Sequence, residues 1–463
     1  MPGCFLVPLI QGLFDVASPA LLPEEGGSYA YNGSMPAGVG LTRVAVRAGL
    51  ADGACLDGSD PVFYARGAPV GSAHPDDWLV FLQGGGSTAS LDGALEVWDV
   101  AYGEMSSRWA PPSIGARGAF DPDSPDNPFA DWNVVFVHKC SYDRFLGRNP
   151  RFVDVTEVDH TVDGRVIPAG TVAQLAFRGN DIVDAVLDTL ATEAVLDLPP
   201  LTDAHRVVLA GHSGGSRGAT MLADAFADRV RSHAAGAEVR LVMDGGFEPS
   251  AELVTAGAIY PGGYPAFDPD TGDDLGAWRA RTEASLFDVW RADGDATCLA
   301  SADPDGCAEV LHVLMNWVET PFFVRQDLLD ANHLNDEDDC WLAPWTDHAA
   351  CRGDAEDVVA WTLDQIDALG WTTRRAATVR YGGATLVPPS GFFPACGDHE
   401  GIHTDVGLFA TATTDAGVTG TYADALAAWL DDPHHPIRPV EATIGDYPVA
   451  GCPAVPVGAV TRR

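Results

Sequence analysis

The stretch VVLAGHSGGSRGATMLADAF (207–226) decides the fold, because it passes from an apolar segment through glycines directly into a helical pattern. The apolar residues at 206–211 are uninterrupted, which is typical of a strand buried on both faces of a parallel sheet. Beyond the glycines, apolar residues recur at three- and four-residue steps, which places them on one helix face. They are Met221, Leu222, Ala225, Phe226 and Val230. The stretch therefore predicts a strand, a tight turn and a helix.

The same alternation of strands and helices extends along the chain. Further apolar runs predict strands at WLVFLQ (78–83), NVVFVH (133–138), VRLVMD (239–244) and PFFVRQ (321–326). Helical spacing appears between them in NDIVDAVLDTLATEAV (180–195). We predict an α/β fold with a mostly parallel central sheet, helices on both faces and long disulfide-bearing loop insertions. We expect one catalytic domain over 31–463, with insertions near 262–310 and 334–357.

The turn itself, Gly211-His212-Ser213-Gly214-Gly215, fits the G-x-S-x-G pattern of a nucleophile elbow. Serine in an elbow takes a strained backbone conformation, and side chains two residues before and after it would collide. The N-terminus of the following helix would help to stabilise developing negative charge. The alternative is a glycine-rich turn in which Ser213 only caps the helix.

A second glycine cluster predicts an oxyanion hole. Gly84-Gly85-Gly86 follow the strand predicted at 78–83, and small residues let the backbone approach a substrate oxygen closely. We expect the backbone N–H groups of Gly85, Gly86 and Gly214 to act as donors. The alternative is an ordinary glycine turn that leaves a buried strand.

Charge excludes one class of partner. The chain has 66 acidic and 27 basic residues, a formal charge of -39, and such a surface repels phosphate backbones. We therefore predict no nucleic-acid partner. No apolar run beyond the N-terminus reaches the roughly 20 residues needed to span a bilayer, so we predict no transmembrane segment.

Nine cysteines lie in segments rich in Asp, Gly and Pro, with no C-x-x-C pair, as in secreted disulfide proteins. Cys298–Cys307 and Cys340–Cys351 each bracket a short acidic loop and are candidate local bridges, and Cys4 is the odd one out. We predict a secreted or cell-envelope protein. The N-terminal segment 1–30 has no Lys or Arg before its apolar stretch, so it fails as a complete signal peptide. We interpret it as a leader remnant, which leaves lipidation of Cys4 open, or as a first strand.

Six blocks occur in one order over 55–403, about three quarters of the chain. They are CLDGSDPVFYARG (55–67), VFLQGGG (80–86), DWNVVFVHKCSYDRFLG (131–147), LAGHSGGSRGA (209–219), VRQDLLDANHL (324–334) and FFPACGDHEGIH (392–403). Together they resemble the pectin acetylesterase and Notum family of serine carboxylesterases, which have an α/β-hydrolase-like fold.

The resemblance implies a catalytic triad of Ser213 as nucleophile, Asp330 as acid and His399 as base. The order Ser, Asp, His is also the order of α/β-hydrolases. Two alternatives stay open, Asp327 for the acid and His403 for the base. We expect His212 to pack or to line the pocket mouth, and Asp244 to be structural, held by neighbouring amides.

The chain departs from the family pattern at three places. Gly86-Ser87 replace an aromatic residue and a cysteine, which predicts a more open pocket. Gly214 replaces alanine, which keeps a donor but loosens the turn. Lys139-Cys140 replace Tyr-Cys and bring the only lysine of the chain near the rim of the site. The resemblance also implies a disulfide between Cys55 and Cys140.

These inferences predict a serine carboxylesterase that hydrolyses O-acyl esters, with acetyl on a polysaccharide such as pectin as the favoured substrate, through an acyl-enzyme. The alternatives are an esterase or lipase acting on longer acyl chains of lipid or protein, and an inactive carbohydrate-binding relative. We expect a monomer that needs no cofactor and acts on an acylated polysaccharide or a small ester. The acidic loops 121–128, 268–274 and 303–306 resemble calcium loops, but none completes an EF-hand, so we interpret them as solvated turns with structural calcium as the alternative.

Overall fold

Strands and helices alternate along the protein as the sequence predicts. The computed structural model describes residues 40–46, 54–162, 164–248, 280–301, 304–328, 330, 362, 380–381, 384–385, 390–394, 399, 401–409, 411–413 and 419–433. The strands are β1 (Gly40–Ala45), β2 (Val62–Arg66), β3 (Asp77–Leu82), β4 (Ser113–Gly115), β5 (Asn133–Val137), β6 (Asn149–Val155), β7 (His160–Val162), β8 (Arg165–Ile167), β9 (Val172–Phe177), β10 (Arg206–His212), β11 (Glu238–Asp244), β12 (Phe322–Arg325), β13 (Arg380–Tyr381), β14 (Ala384–Thr385), β15 (Ser390–Phe392), β16 (Thr411–Thr413) and β17 (Thr419–Thr421).

The helices lie mostly in the connections between these strands. They are α1 (Leu91–Glu96), α2 (Trp98–Ala101), α3 (Gly179–Thr192), α4 (Gly214–His233), α5 (Ala296–Leu299), α6 (Val310–Asn316), α7 (Asp405–Leu408) and α8 (Tyr422–Asp431). Short 3₁₀ turns cover Tyr102–Glu104, Gly118–Phe120, Leu201–Asp203 and Pro304–Gly306, and a π-helical turn covers Ala284–Val289. The helix predicted over 180–195 ends at Thr192, because Glu193 takes an extended backbone conformation.

Nine strands form one sheet, in the order β15-β12-β11-β10-β3-β5-β2-β1-β4. The pairs from β15 to β5 are all parallel, and β2, β1 and β4 add antiparallel pairs at the other side. The predicted strands at 78–83, 133–138, 206–211, 239–244 and 321–326 are all neighbours in this sheet. The mostly parallel α/β architecture is therefore confirmed.

Alternate side chains of the central strands enter two separate cores. Val80, Leu82 and Leu209 belong to the core that also contains α3, α4 and α6. Leu79 and Phe81 face the other way, into the core covered by α8. Because both faces are covered, neither set of side chains meets water, which explains the unbroken apolar runs in the sequence. Helices on both faces were predicted and are confirmed.

Some expectations concern residues that are not described. The N-terminal segment 1–30, with Cys4, and the insertion near 334–357, with Cys340 and Cys351, lie outside the described residues. The described part of the insertion near 262–310 starts at residue 280 and contains the π-helical turn and α5. The single-domain organisation stays a prediction. Among the helices that are described, none is both long and apolar enough to cross a membrane.

Two disulfides lie within the described chain. Cys55–Cys140 joins the segment before β2 to the segment after β5, and both residues are fully buried. Cys298–Cys307 closes a short loop after α5. Both predicted bridges are confirmed.

We expect replacement of Cys55 and Cys140 together by alanine to destabilise the protein more than the same change at Cys298 and Cys307. A disulfide constrains the unfolded chain more when its loop is longer. The sequence separations are 85 and 9 residues, which correspond to about 4.5 and about 2.5 kcal/mol of unfolding free energy. Equilibrium urea unfolding of both double variants would test this, and equal or reversed losses would contradict it.

Candidate active site

Ser213 occupies the sharp turn between β10 and α4. Its backbone angles are φ 52° and ψ -127°, a strained conformation for a residue with a side chain. The Ser213 N–H donates to the carbonyl of Asp244 at 2.9 Å, so the end of β11 holds the turn. The Ser213 side chain makes no capping hydrogen bond to α4. The alternative in which Ser213 only caps the helix is therefore wrong, and the geometry is that of a nucleophile elbow.

The glycines around Ser213 are required by close backbone packing. A Cβ atom on Gly211 would collide with the backbone of Gly215, and one on Gly215 would collide with the carbonyl oxygens at the end of β3. These are the collisions that the sequence pattern predicts two residues before and after the serine. Larger residues at either position would force β10, α4 and β3 apart.

The loop Gly84–Gly86 lies directly against the elbow. The Gly85 carbonyl oxygen approaches Gly214 so closely that a Cβ atom on Gly214 would collide with it. Glycine at 214, where the family pattern has alanine, thus lets the loop approach the elbow. The three predicted oxyanion donors, Gly85, Gly86 and Gly214, lie together next to Ser213, and their role stays a prediction.

His399 and Asp330 form a hydrogen-bonded pair. The His399 Nδ1 atom lies 2.9 and 2.8 Å from the two carboxylate oxygens of Asp330. Asp330 is fully buried and also accepts a hydrogen bond of 2.6 Å from Gln326 Nε2. A carboxylate can only accept from Nδ1–H, so the pair fixes the tautomer that keeps Nε2 as the basic nitrogen. Sequence analysis did not identify Gln326 as a residue of the site. The sequence signal that could have identified it is its position one residue after β12.

His399 lies on the same side of the sheet edge as Ser213. Its ring packs against Gly245, the residue after Asp244, whose carbonyl holds the Ser213 amide. Its ring centroid is 5.5 Å from that of His212, the residue before Ser213. The fold therefore brings the elbow, the base and the acid to the carboxyl ends of β10, β11 and β12.

The other candidate acids are engaged elsewhere. Arg325 forms an ion pair with Asp327, with Nη2 and Oδ1 2.6 Å apart, and donates a hydrogen bond of 3.0 Å to Asp244, and all three side chains are fully buried. Asp244 also accepts from the backbone N–H of Ile402, which agrees with the structural role expected for it. The structure thus pairs His399 with Asp330, while Asp327 lies on Arg325. The catalytic assignment of Asp330 stays a prediction.

Two further histidines pack beside the site. His403, the alternative base, is buried with its ring 4.3 Å from His212 and 5.7 Å from Phe81. Burial, together with the neighbouring His403, His399, Arg325 and Lys139, holds the pKa of His212 well below its ordinary value. His212 is therefore a neutral packing residue at pH 7, as expected.

Lys139 differs from its predicted position. It was expected near the rim of the site, but its side chain is fully buried behind the Gly84–Gly86 loop. Its ammonium group donates to the Gly86 carbonyl and to Glu104. The sequence predicted a position near the site because Lys139 precedes Cys140, which matches a family cysteine. The ion pair with the Glu104 carboxylate turns the Lys139 side chain inward.

A cavity of about 270 Å³ lies where the segment after the Gly84–Gly86 loop meets the first turns of α4; Ser213 itself is not among its lining residues. Arg144 and Arg217 in its wall both lie 2.8 Å from the same oxygen of Glu248, and Arg281 lines the cavity as well. The backbone N–H of Arg217 donates to the Ser213 carbonyl, so this wall continues from the first turn of α4. Ser87, which stands in place of a family aromatic-cysteine pair, also lines the cavity. The more open pocket expected from Gly86-Ser87 stays a prediction, and the arginines of this cavity were not expected.

Metal ligands do not converge in the described part of the chain. Among those residues there is no group of three or more His, Cys, Asp or Glu side chains that could hold a metal ion. In the acidic loop 121–128, Asp121 accepts from the Asp123 N–H, and Asn127 accepts from the Phe129 N–H. These side chains stabilise turns. The loop 268–274 and residue 303 lie outside the described residues.

Comparison with known proteins agrees with the geometry. The family model described as pectinacetylesterase matches residues 37–449. The chain belongs to the pectinacetylesterase family. The resemblance to this family and to Notum is thereby confirmed.

Two relatives from Xenopus laevis share part of this sequence. The chain is 30% identical over 195 residues to the palmitoleoyl-protein carboxylesterase notum1' of Xenopus laevis, which covers 42% of this chain and 34% of the relative. It is 30% identical over 196 residues to notum1 of the same organism, with the same shares covered. The match thus spans about a third of the length of these curated relatives.

The Wnt deacylase Notum from Drosophila shares the fold of this pectinacetylesterase family member. One crystal form superimposes with a TM-score of 0.64 at 19% identity, covering 90% of this chain and 100% of that chain. A second crystal form gives a TM-score of 0.60 at 19% identity, covering 87% of this chain and 96% of that chain. This supports the α/β-hydrolase-like architecture.

We expect Asp330→Asn and Asp327→Asn to affect different properties. Asp330→Asn leaves the wrong tautomer of His399, so kcat for 4-nitrophenyl acetate should fall by about 10³- to 10⁴-fold with little loss of stability. Asp327→Asn breaks a buried ion pair, which should cost about 3–5 kcal/mol of stability while kcat changes by less than about tenfold. Steady-state kinetics and thermal melts on both variants would test this. A larger loss of kcat in a folded Asp327→Asn protein would transfer the acid role to Asp327.

We also expect the free energy of unfolding to depend on pH through the buried side chain of His138. Burial lowers its pKa to about 4, opposed only in part by its contact with the Ser106 carbonyl. The unfolded chain takes up a proton near pH 6.5 and the folded protein does not, so stability falls as pH falls from about 6.5 to 4. Each pH unit in that window costs about 1.4 kcal/mol.

The matched control for this pH effect is His138→Gln. Relative to this variant, the wild type should lose about 2–3 kcal/mol of unfolding free energy between pH 7 and 4.5, measured by urea unfolding. A difference that stays constant with pH would show that His138 titrates normally in the folded protein.

Proposed function

We propose that this protein is a serine carboxylesterase that hydrolyses O-acyl esters through an acyl-enzyme. The observation that carries the proposal is the His399–Asp330 pair beside a strained Ser213 elbow. Membership of the pectinacetylesterase family supports it. The relatives named as carboxylesterases support the same reaction class.

The reaction would follow from the positions of these groups. Ser213 Oγ attacks the ester carbonyl carbon as its proton passes to His399 Nε2. The N–H groups of Gly85, Gly86 and Gly214 stabilise the oxyanion of the tetrahedral intermediate. The imidazolium, stabilised by Asp330, then protonates the leaving alcohol. Water, deprotonated by His399, releases the carboxylic acid and restores Ser213. No step calls for a cofactor.

For the substrate, we propose a short acyl group, acetyl, on a polysaccharide such as pectin. The cavity that Arg217 of α4 lines contains three arginines and Glu248 in its wall, which suits a polar alcohol with hydroxyl or carboxylate groups. A long acyl chain would need a predominantly apolar channel. The description of the family names the same substrate class.

Longer acyl chains are the second candidate. Leu146, Met221, Leu286 and Trp290 also line the cavity, and the Xenopus relatives are named for removal of a palmitoleoyl group. The third reading, an inactive carbohydrate-binding relative, has against it the retained serine, acid and base.

We propose that the protein acts outside the reducing cytoplasm, as a monomer. The two disulfides of the described chain support an oxidising compartment, because disulfides persist there and are rare where thiols are kept reduced.

The test is hydrolysis of 4-nitrophenyl esters from C2 to C12 by wild type and Ser213→Ala in parallel. We expect kcat/KM to be highest for the acetyl ester and to fall by at least about 10⁴-fold in the variant. An optimum at C8 or longer would favour the lipase alternative. Equal rates in the two proteins would overturn the esterase proposal.

A further inference from the structure

Lys139 is the only lysine in the chain, and its backbone is held firmly in place. It follows β5 by two residues, and its N–H donates to Gln83 Oε1 at 3.0 Å. The next residue, Cys140, is bonded to Cys55. The backbone of Lys139 is therefore fixed on both sides, so the ammonium group at the end of its side chain reaches a defined position.

That place is the back of the Gly84–Gly86 loop. The Lys139 ammonium donates to the Gly86 carbonyl and lies 2.8 Å from Glu104 Oε2. It also lies 4.5 Å from the centre of the Tyr142 ring. Lys139 is fully buried, Tyr142 is 6% exposed and the side chain of Glu104 is 15% exposed.

The partners of Lys139 touch the same loop. The Glu104 carboxylate packs so closely on Gly85 that a Cβ atom there would collide with it. The Tyr142 hydroxyl packs in the same way on Gly86. Glu104, Lys139 and Tyr142 thus form a clamp on the loop, and we use that name for these three residues.

A loop of three glycines needs such support. Glycine loses more conformational freedom on folding than any other residue, and this loop has no side chains with which to anchor itself. Oxyanion stabilisation depends on donors that are already in place before the reaction. Since a peptide unit is planar, fixing the Gly86 carbonyl fixes the Gly86–Ser87 peptide, which directly follows the donor N–H groups, while Glu104 and Tyr142 pack on Gly85 and Gly86 themselves. A charge-assisted hydrogen bond does this more strongly than a neutral one.

Burying the Lys139 charge costs free energy, and a purely structural role would not require a charged residue here. Burial lowers the pKa of Lys139, and the ion pair with Glu104 opposes that effect. Arg144 and Asp143 also act on it, with opposite signs. Removing charges from water is expensive, and a well-packed neutral pair is often as stable.

We propose that Lys139, paired with Glu104, is a positioning residue that holds the Gly84–Gly86 loop in the geometry required to stabilise the oxyanion. This inference rests on the proposed esterase function. Lys139 acts through the loop and does not touch the substrate. Its loss should therefore lower kcat and leave KM nearly unchanged.

The test compares two double variants, each of which neutralises an ion pair whose cation is buried. Lys139→Met with Glu104→Gln neutralises the clamp. Arg240→Met with Glu238→Gln is the control: Arg240 is 2% exposed and pairs, away from the active site, with Glu238, which is 40% exposed and also pairs with Arg206. Kinetics with 4-nitrophenyl acetate and the inhibition constant of a phenylboronic acid, which forms a tetrahedral adduct with the serine, are measured for both. Wild type and Ser213→Ala are run alongside.

We expect the clamp variant to lose about 30- to 100-fold in kcat, somewhat less than the loss of a whole oxyanion donor. Its KM should change by less than about threefold, and its boronate affinity should fall in parallel with kcat. The control variant should lose stability but keep the kcat and boronate affinity of wild type.

Three outcomes would overturn the inference. Wild-type kcat in a folded clamp variant would do so, as would an equal loss in the control variant. If the clamp variant does not fold, the single variant Glu104→Gln decides the question. It removes the carboxylate partner of Lys139 and should lower kcat by about three- to tenfold. An unchanged kcat in this variant would refute the positioning role. An inactive wild type would overturn the esterase proposal itself, which separates the two failures.

Discussion

The parallel pairing of β3 with β10 is the constraint on which the site depends. The carboxyl ends of these neighbouring strands meet at one edge of the sheet, where ligands of open α/β sheets bind. β3 continues into the Gly84–Gly86 loop, and β10 continues into the Ser213 elbow. Because the strands lie side by side, the two turns can only coexist if they pack without side chains, and Gly214 and Gly215 contact the backbone of the loop and of β3.

Buried charges then fix the remaining parts of the site relative to this pair. Arg325 at the end of β12 joins Asp244 at the end of β11 to Asp327. Asp244 also accepts from the backbone of Ile402, in the segment that follows His399. One guanidinium group therefore ties together the strand ends and the segment that carries the base. The desolvation cost of these charges is offset by their ion pairs and by the hydrogen bonds that Asp244 accepts from Arg325 and Ile402, and loss of Arg325 would remove the cation that two buried carboxylates share.

A second buried pair, Lys139 with Glu104, lies on the opposite side of the Gly84–Gly86 loop. The elbow holds this loop through backbone contacts, and the clamp holds it through side-chain contacts. A loop without side chains is thus defined by its neighbours from both sides. This arrangement also explains why a lysine that departs from the family pattern is tolerated beside the site. Its charge is paired with Glu104, and without the lysine the Gly86 carbonyl would be left without a donor in a dry environment.

Local sequence determined the elements and the type of site. Unbroken apolar runs identified the central strands, since β-strands covered on both faces need no polar alternation. The glycines around Ser213 identified the elbow, because backbone strain and close packing leave no room for other residues there. Sequence also placed Asp330 and His399 among the candidates, but it could not choose between Asp330 and Asp327, which are three residues apart. Only the tertiary structure distinguishes the two carboxylates, by placing Arg325 against Asp327 and His399 against Asp330, and the catalytic role of Asp330 stays a prediction. The tertiary structure also decided the inward position of Lys139 and the meeting of Arg144, Arg217 and Glu248 in one cavity wall. These contacts join residues far apart in the chain, so they depend on strand order and burial, and no local pattern encodes them.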